Sequence, residues 1–114
     1  MQIVSRGQNV QVSDNLIAYC LERARRALRP FSSRVSRVKL VFVELSGCRR
    51  GLGRACRVTV ELVGGRQVHY EGRAEDFYQC ASQAIMGTTR HIQRVLERRR
   101  RFAEASSSLA PVTA

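Results

Sequence analysis

DFYQCASQAIMGTTRHIQRVLERRRR, residues 76–101, is the stretch whose reading decides the architecture. Phe77, Ala81, Ala84, Ile85, Thr88, Ile92, Val95 and Leu96 recur at three- and four-residue intervals, which puts them on one face of a helix. Arg90, Arg94, Arg98 and Arg101 recur at the same kind of interval. At ~100° per residue, the arginine stripe is centred roughly 145° from the apolar one. Such a helix lays one side on a core and points guanidinium groups outward from the other. Arg99 falls on the apolar side, so the helix outruns the core at that point. Asp76 with Gln79 has the form of a capping box at its start.

An apolar helix face needs a surface to cover, and the chain upstream supplies one. Val35 to Leu45 is rich in β-branched residues and apolar on both alternating sets, which predicts a long central strand. Arg54 to Val63 alternates, with Cys56, Val58, Val60 and Leu62 inward and Arg57, Thr59 and Glu61 outward. Gly64-Gly65 is a two-residue hairpin signal, and Arg66 to Gly72 returns as a strand with Val68 and Tyr70 opposite His69 and Glu71. At the other end, Gln2 to Arg6 is a short strand. Ser13 and Asp14 are helix-cap residues for a first helix that Pro30 stops after about Arg29. Leu16, Ile17, Cys20, Leu21, Ala24, Ala27 and Leu28 form its apolar side, with Arg23, Arg25, Arg26 and Arg29 opposite. The order is β-α-β-β-β-α: an α+β fold in one domain, a four-stranded sheet with two amphipathic helices on one face. The other face is left to water, as antiparallel sheets allow, and both arginine stripes then lie on the same outer side. The domain spans residues 1–102, and 103–114 are expected to be a flexible tail.

At 114 residues there is room for a single modest core. The 20 Lys+Arg against 9 Asp+Glu give a net charge of +11, which attracts polyanions such as nucleic acid or an anionic membrane surface. All the basic residues but Lys39 are arginine, whose planar fork binds phosphate bidentately and stacks on bases. No segment has the ~18 apolar residues of a membrane span, and the N-terminus lacks a signal-peptide pattern. A cytoplasmic protein with no membrane partner is expected. The stripe residues Arg23, Arg26, Arg29, Arg90, Arg94, Arg98 and Arg101 are the candidate RNA-binding set. A single stripe would pass for a solvated helix face; two on one side, with this net charge, point to phosphate contacts.

Signals for catalysis or metal are weak. Cys20, Cys48, Cys56 and Cys80 contain no CxxC pair, and only His69 and His91 could join them, so no metal site is expected. The loop Ser46 to Gly53 fits neither GxGxxG nor GxxxxGK[ST] and does not lead into a helix, so it predicts no phosphate cradle. His69 with Glu71 is a common pairing on a solvated strand, and His91 neighbours the apolar helix face. No nucleophile–base–orienter set is present. No enzyme, cofactor or small-molecule substrate is expected.

The sequence resembles the hibernation-promoting factor family, the ribosome-associated translation inhibitors also called subunit-interface proteins. Met1-Gln2-Ile3, Gly7, Asn9-Val10, Val12-Ser13-Asp14 and Leu16 match that family's opening. Gly64-Gly65 and then Ala74-Glu75-Asp76-Phe77-Tyr78 match the approach to its last helix, with Ala84-Ile85 and Arg90 in register. The resemblance covers about residues 1–102. It implies the same fold, similar to double-stranded RNA-binding domains, and binding to 16S rRNA of the small ribosomal subunit in the tRNA and mRNA channel. It thereby implies inhibition of translation by steric block in stationary phase or stress. Arg23, Arg26 and Arg29 occupy basic positions of the family's first helix, and Arg90, Arg94 and Arg98 those of its last. Gly87-Thr88-Thr89 departs from the family's Lys-Leu-Glu-like stretch; Gly87 loses a charge and costs about 1 kcal/mol of helix propensity. The sequence ends before the second domain of long members and its tail is not acidic, so it is expected to be a short form that either helps pair ribosomes, with a second ribosome-pairing factor as a further partner, or only plugs them. The alternative is a general double-stranded or structured RNA-binding regulatory module not tied to ribosomes. A third, an RNA-modifying enzyme using His69 or a cysteine, has the least behind it.

Overall fold

The structure, a computed structural model, describes residues 1–45 and 53–108, with side chains through Arg101. Strand β1 (Gln2–Gln8) leads to helix α1 (Asp14–Leu28) and a 3-10 turn over Arg29–Phe31. Strands β2 (Val35–Glu44), β3 (Arg54–Leu62) and β4 (Gln67–Ala74) follow, and helix α2 (Phe77–Ser108) ends the described chain. The expected order and fold class hold. The sheet runs β1-β2-β3-β4. β3 lies antiparallel to both β2 and β4, whereas β1 pairs parallel to β2. The sheet is therefore mixed rather than antiparallel, because α1 carries the chain back across before β2 begins.

Local signals account for the element ends. The Ser13 hydroxyl accepts a hydrogen bond from the Leu16 N–H at 3.1 Å, closing the first turn of α1. Pro30 sits in the 3-10 turn where α1 stops. The Asp76 carboxylate accepts from the Gln79 N–H at 3.0 Å at the head of α2. The hairpin between β3 and β4 is longer than a two-residue turn. The Leu62 N–H donates to the Arg66 carbonyl at 2.7 Å, leaving Val63, Gly64 and Gly65 as the loop. Gly64 and Gly65 take φ of 103° and 94°, which a side chain would resist. α2 runs six residues beyond the expected boundary at Phe102; Ala103, Glu104 and Ala105 are good helix formers. Residues 109–114 of the expected tail, and the Ser46 to Gly53 loop apart from Gly53, lie outside the described residues.

Both helices cover one face of the sheet. The apolar stripe of α2 is buried at Phe77, Cys80, Ala81, Ala84, Ile85, Thr88, Ile92 and Val95, with Leu96 half-buried. The Thr88 hydroxyl donates to the Ala84 carbonyl at 2.7 Å, so its burial leaves no unmet polar group. Under the helices lie Val38, Leu40 and Phe42 of β2 and Cys56, Val58, Val60 and Leu62 of β3. A register irregularity between Val35 and Arg37 lets Val35 join the same side as Val38. Cys20, Cys56 and Cys80 are buried free thiols in this core. Burial pushes the Cys20 thiol up to about 11 and raises Cys56 and Cys80 as well, so they pack as small hydrophobes.

Candidate nucleic-acid interface

The two helices meet along a seam that consumes one of the candidate arginines. Arg23 is half-buried, and its Nη2 donates to the Ser82 hydroxyl of α2 at 2.6 Å. Beside it, the Tyr19 and Tyr78 rings meet edge-on at 5.0 Å. Arg23 thus ties the helices together instead of standing free. Arg26 is exposed and pairs with Glu22 one turn earlier at 3.0 Å. Arg29 is exposed at the end of α1.

Arg90, Arg94, Arg98 and Arg101 are all exposed, as are Arg99 and Arg100. Eleven residues separate the first and last of the stripe, about 16 Å at 1.5 Å per residue. Its direction follows from two contacts of α2. Tyr78 and Ser82 face α1, while Gly87 faces the Tyr70 ring on β4. Arg94 and Arg98 follow Gly87 by seven and eleven residues, each within ~20° of its direction at ~100° per residue. They project from the flank of α2 that overhangs β4, away from α1. The two stripes share the helical side of the molecule as separate banks. His91, which the periodicity places beside the core, is exposed because the buried face narrows to Ile92 and Val95 there.

Charge is also present on the uncovered side of the sheet. The register sets Val4, Lys39, Thr59 and His69 in one row across the strands, and Arg6, Val41, Arg57 and Glu71 in the next. Arg37 and Arg73 belong to the same face. Sequence alternation marks Arg57 and Thr59 as outward, yet the assembly of these residues into one face needs the strand order. Glu71 accepts from Arg57 Nε at 2.8 Å and from Arg73 Nε at 2.7 Å. Hydrogen bonds from those two guanidiniums hold its carboxyl below the usual value. His69 Nδ1 lies 3.1 Å from the Thr59 hydroxyl, an exposed cross-strand contact. Arg54, on the covered side, stacks its guanidinium 4.9 Å from the Phe77 ring and pairs with Glu44 at 3.7 Å. Among the described residues no cluster of His, Cys, Asp and Glu could hold a metal. No described helix is long and apolar enough to cross a membrane.

Residues 3–100 match the family described as sigma 54 modulation protein / S30EA ribosomal protein. The chain belongs to this family. The hibernation-promoting factor resemblance carried by the opening motif and by residues 74–78 is borne out by that match. The S30EA fold recurs in solved structures. A ribosomal subunit interface protein from Coxiella burnetii has 16% sequence identity and a TM-score of 0.72, covering 85% of this chain and 99% of that one. The N-terminal domain of Thermus thermophilus Protein Y has 22% identity and a TM-score of 0.65, covering 83% and 99%. At these identities the likeness speaks for the fold. No curated protein matches the chain. As an S30EA member it is a ribosome-associated type of protein.

Proposed function

We propose that this S30EA domain is a non-enzymatic plug of the small ribosomal subunit, acting in the cytoplasm when cells stop growing or are stressed. It binds 16S rRNA in the channel used by mRNA and tRNA, and blocks translation by occupancy. The observation that carries the reading is the arginine bank of α2: Arg90, Arg94, Arg98 and Arg101 stand exposed on a helix whose opposite face is locked into the core. A row of guanidiniums on a preformed helix neutralises phosphates without the backbone first having to be ordered, and the affinity it supplies is salt-sensitive. Arg26 and Arg29 extend the charge onto α1. Arg23 serves this surface indirectly, by holding α1 against α2.

The test is co-sedimentation with separated ribosomal subunits over a salt series, with wild type beside a charge-reversed Arg90→Glu/Arg94→Glu/Arg98→Glu protein. Salt-sensitive binding to the small subunit that competes with tRNA and is lost in the variant is the expected result. Failure to co-sediment at low salt would sink the proposal. Equal affinity for ribosomes and for free duplex RNA would instead favour a general RNA-binding module.

A further inference from the structure

The seam between the helices does not close evenly. α1 ends at Leu28 and Pro30 turns the chain aside, whereas α2 continues far beyond that level. A groove of about 1110 Å³ opens there, between the 3-10 turn and the C-terminal half of α2. That is just above the usual range of ligand-site volumes, roughly 300–1,000 Å³. Ala27, Phe31 and Leu96, all half-buried, supply an apolar floor. Arg34, from the turn before β2, and Arg99, from α2, stand on its rim, and Glu97 and Arg100 of α2 complete its charged lining. Arg34 and Arg99 are both exposed, and neither makes an ion pair with any described residue. The same two arginines and Leu96 also line a neighbouring hollow of about 320 Å³.

An aromatic ring and aliphatic side chains beneath two guanidiniums suit a flat group that carries an anion. We propose that this groove takes one unpaired nucleotide of a structured RNA, its base against Phe31 and Leu96 and its phosphate between Arg34 and Arg99. The inference rests on the RNA-binding reading above and names what that surface selects. A base offers its π-face to Phe31, and Gln93 on the groove wall can both donate to and accept from a base edge. The RNA-binding reading favours RNA over an acidic peptide, and Arg29, which directly precedes Pro30 of the groove lining, brings the α1 bank to the groove's edge. A strand whose phosphates follow the α1 bank passes the mouth of the groove. Paired bases stay stacked and cannot reach its floor.

The probes are a fluorescein-labelled RNA hairpin with one unpaired adenosine and the same hairpin fully paired, titrated with the full chain and read by anisotropy. The bulged hairpin is expected to bind about tenfold tighter, within the range that one stacked base contributes. Phe31→Leu keeps apolar packing and removes the ring; it should abolish the preference and leave the paired hairpin's affinity unchanged. Arg34→Gln/Arg99→Gln alters only exposed side chains, so it reads the same groove without risk to the core. It should weaken the bulged hairpin more than the paired one. Equal affinity of wild type for the two hairpins, or a preference that survives both variants, would overturn the proposal. So would a Glu- and Leu-rich peptide that binds wild type but not the double variant while the hairpins stay equal, since the groove would then belong to a protein partner. Loss of binding to both hairpins and to ribosomes would be a failure of the RNA reading itself.

Discussion

Gly87 shows how one residue changes meaning between sequence and structure. Along the sequence it is a helix breaker that removes a charge from a basic stretch. In the fold a Cβ at that position would run into the Tyr70 ring of β4. Glycine therefore makes the notch in which Tyr70 lies, and the residue belongs to the helix–sheet contact instead of the arginine bank. Gly87→Ala gains about 1 kcal/mol of helix propensity but must push aside the Tyr70 ring, which is partly exposed. It should stabilise a Tyr70→Ala protein by about 1 kcal/mol and wild type by clearly less. Denaturant midpoints of the four proteins of the cycle would show the difference, and an equal gain in both backgrounds would contradict the notch. Gly72 is a second close approach, since a Cβ there would lie 2.9 Å from the Ala84 nitrogen. Glu71 makes the other residue-scale prediction. Its carboxyl is held below 4.5 by the hydrogen bonds from Arg57 and Arg73. A depressed carboxylate contributes stability that is whole above the unfolded value and lost as pH falls through the lower folded one. The melting temperatures of wild type and Glu71→Gln should differ most near neutral pH and converge in strong acid. A gap that widened as pH fell would contradict the arrangement.

At the scale of elements, both helices were legible because their apolar positions keep a 3.6-residue period and their caps are local chemistry. Every buried residue of α1, Leu16, Cys20, Ala24 and Leu28, belongs to the apolar set read from the sequence. What periodicity could not say was which way each outward arginine leans. Arg23 and Arg94 look alike in the sequence, yet one is hydrogen-bonded into the seam and the other stands clear on the β4 flank. They should therefore respond differently. Arg94→Gln/Arg98→Gln should lower the slope of log affinity against log salt by about 0.7–0.9 for each phosphate contact removed, with little change in melting temperature. Arg23→Gln should lower the melting temperature and leave the slope nearly intact. Ribosome binding over a salt series and thermal melts of the same proteins would check both, and a steep slope change from Arg23→Gln alone would reverse the assignment.

For the molecule as a whole, the amino-acid sequence by itself determined the kinds and order of the elements, the side of each helix and of strand β3 that enters the core, and the strong positive charge. These follow from period, cap chemistry and composition, all of which act over a few residues or are simple sums. The family likeness was legible for a related reason: its motifs sit at turns and helix starts, where local backbone demands restrict the residue. The tertiary structure alone decided the parallel pairing of β1 with β2, since pairing joins residues tens of positions apart. It decided that Arg6, Arg37, Lys39, Arg57 and Arg73 gather on the uncovered face, because a face is shared only once strand order and register are set. It also decided that Gly87 faces Tyr70, that Arg23 joins the helices, and that a groove opens where α1 stops and α2 continues. Each of these depends on how two separate elements pack against one another, and that information is absent from the period of either one.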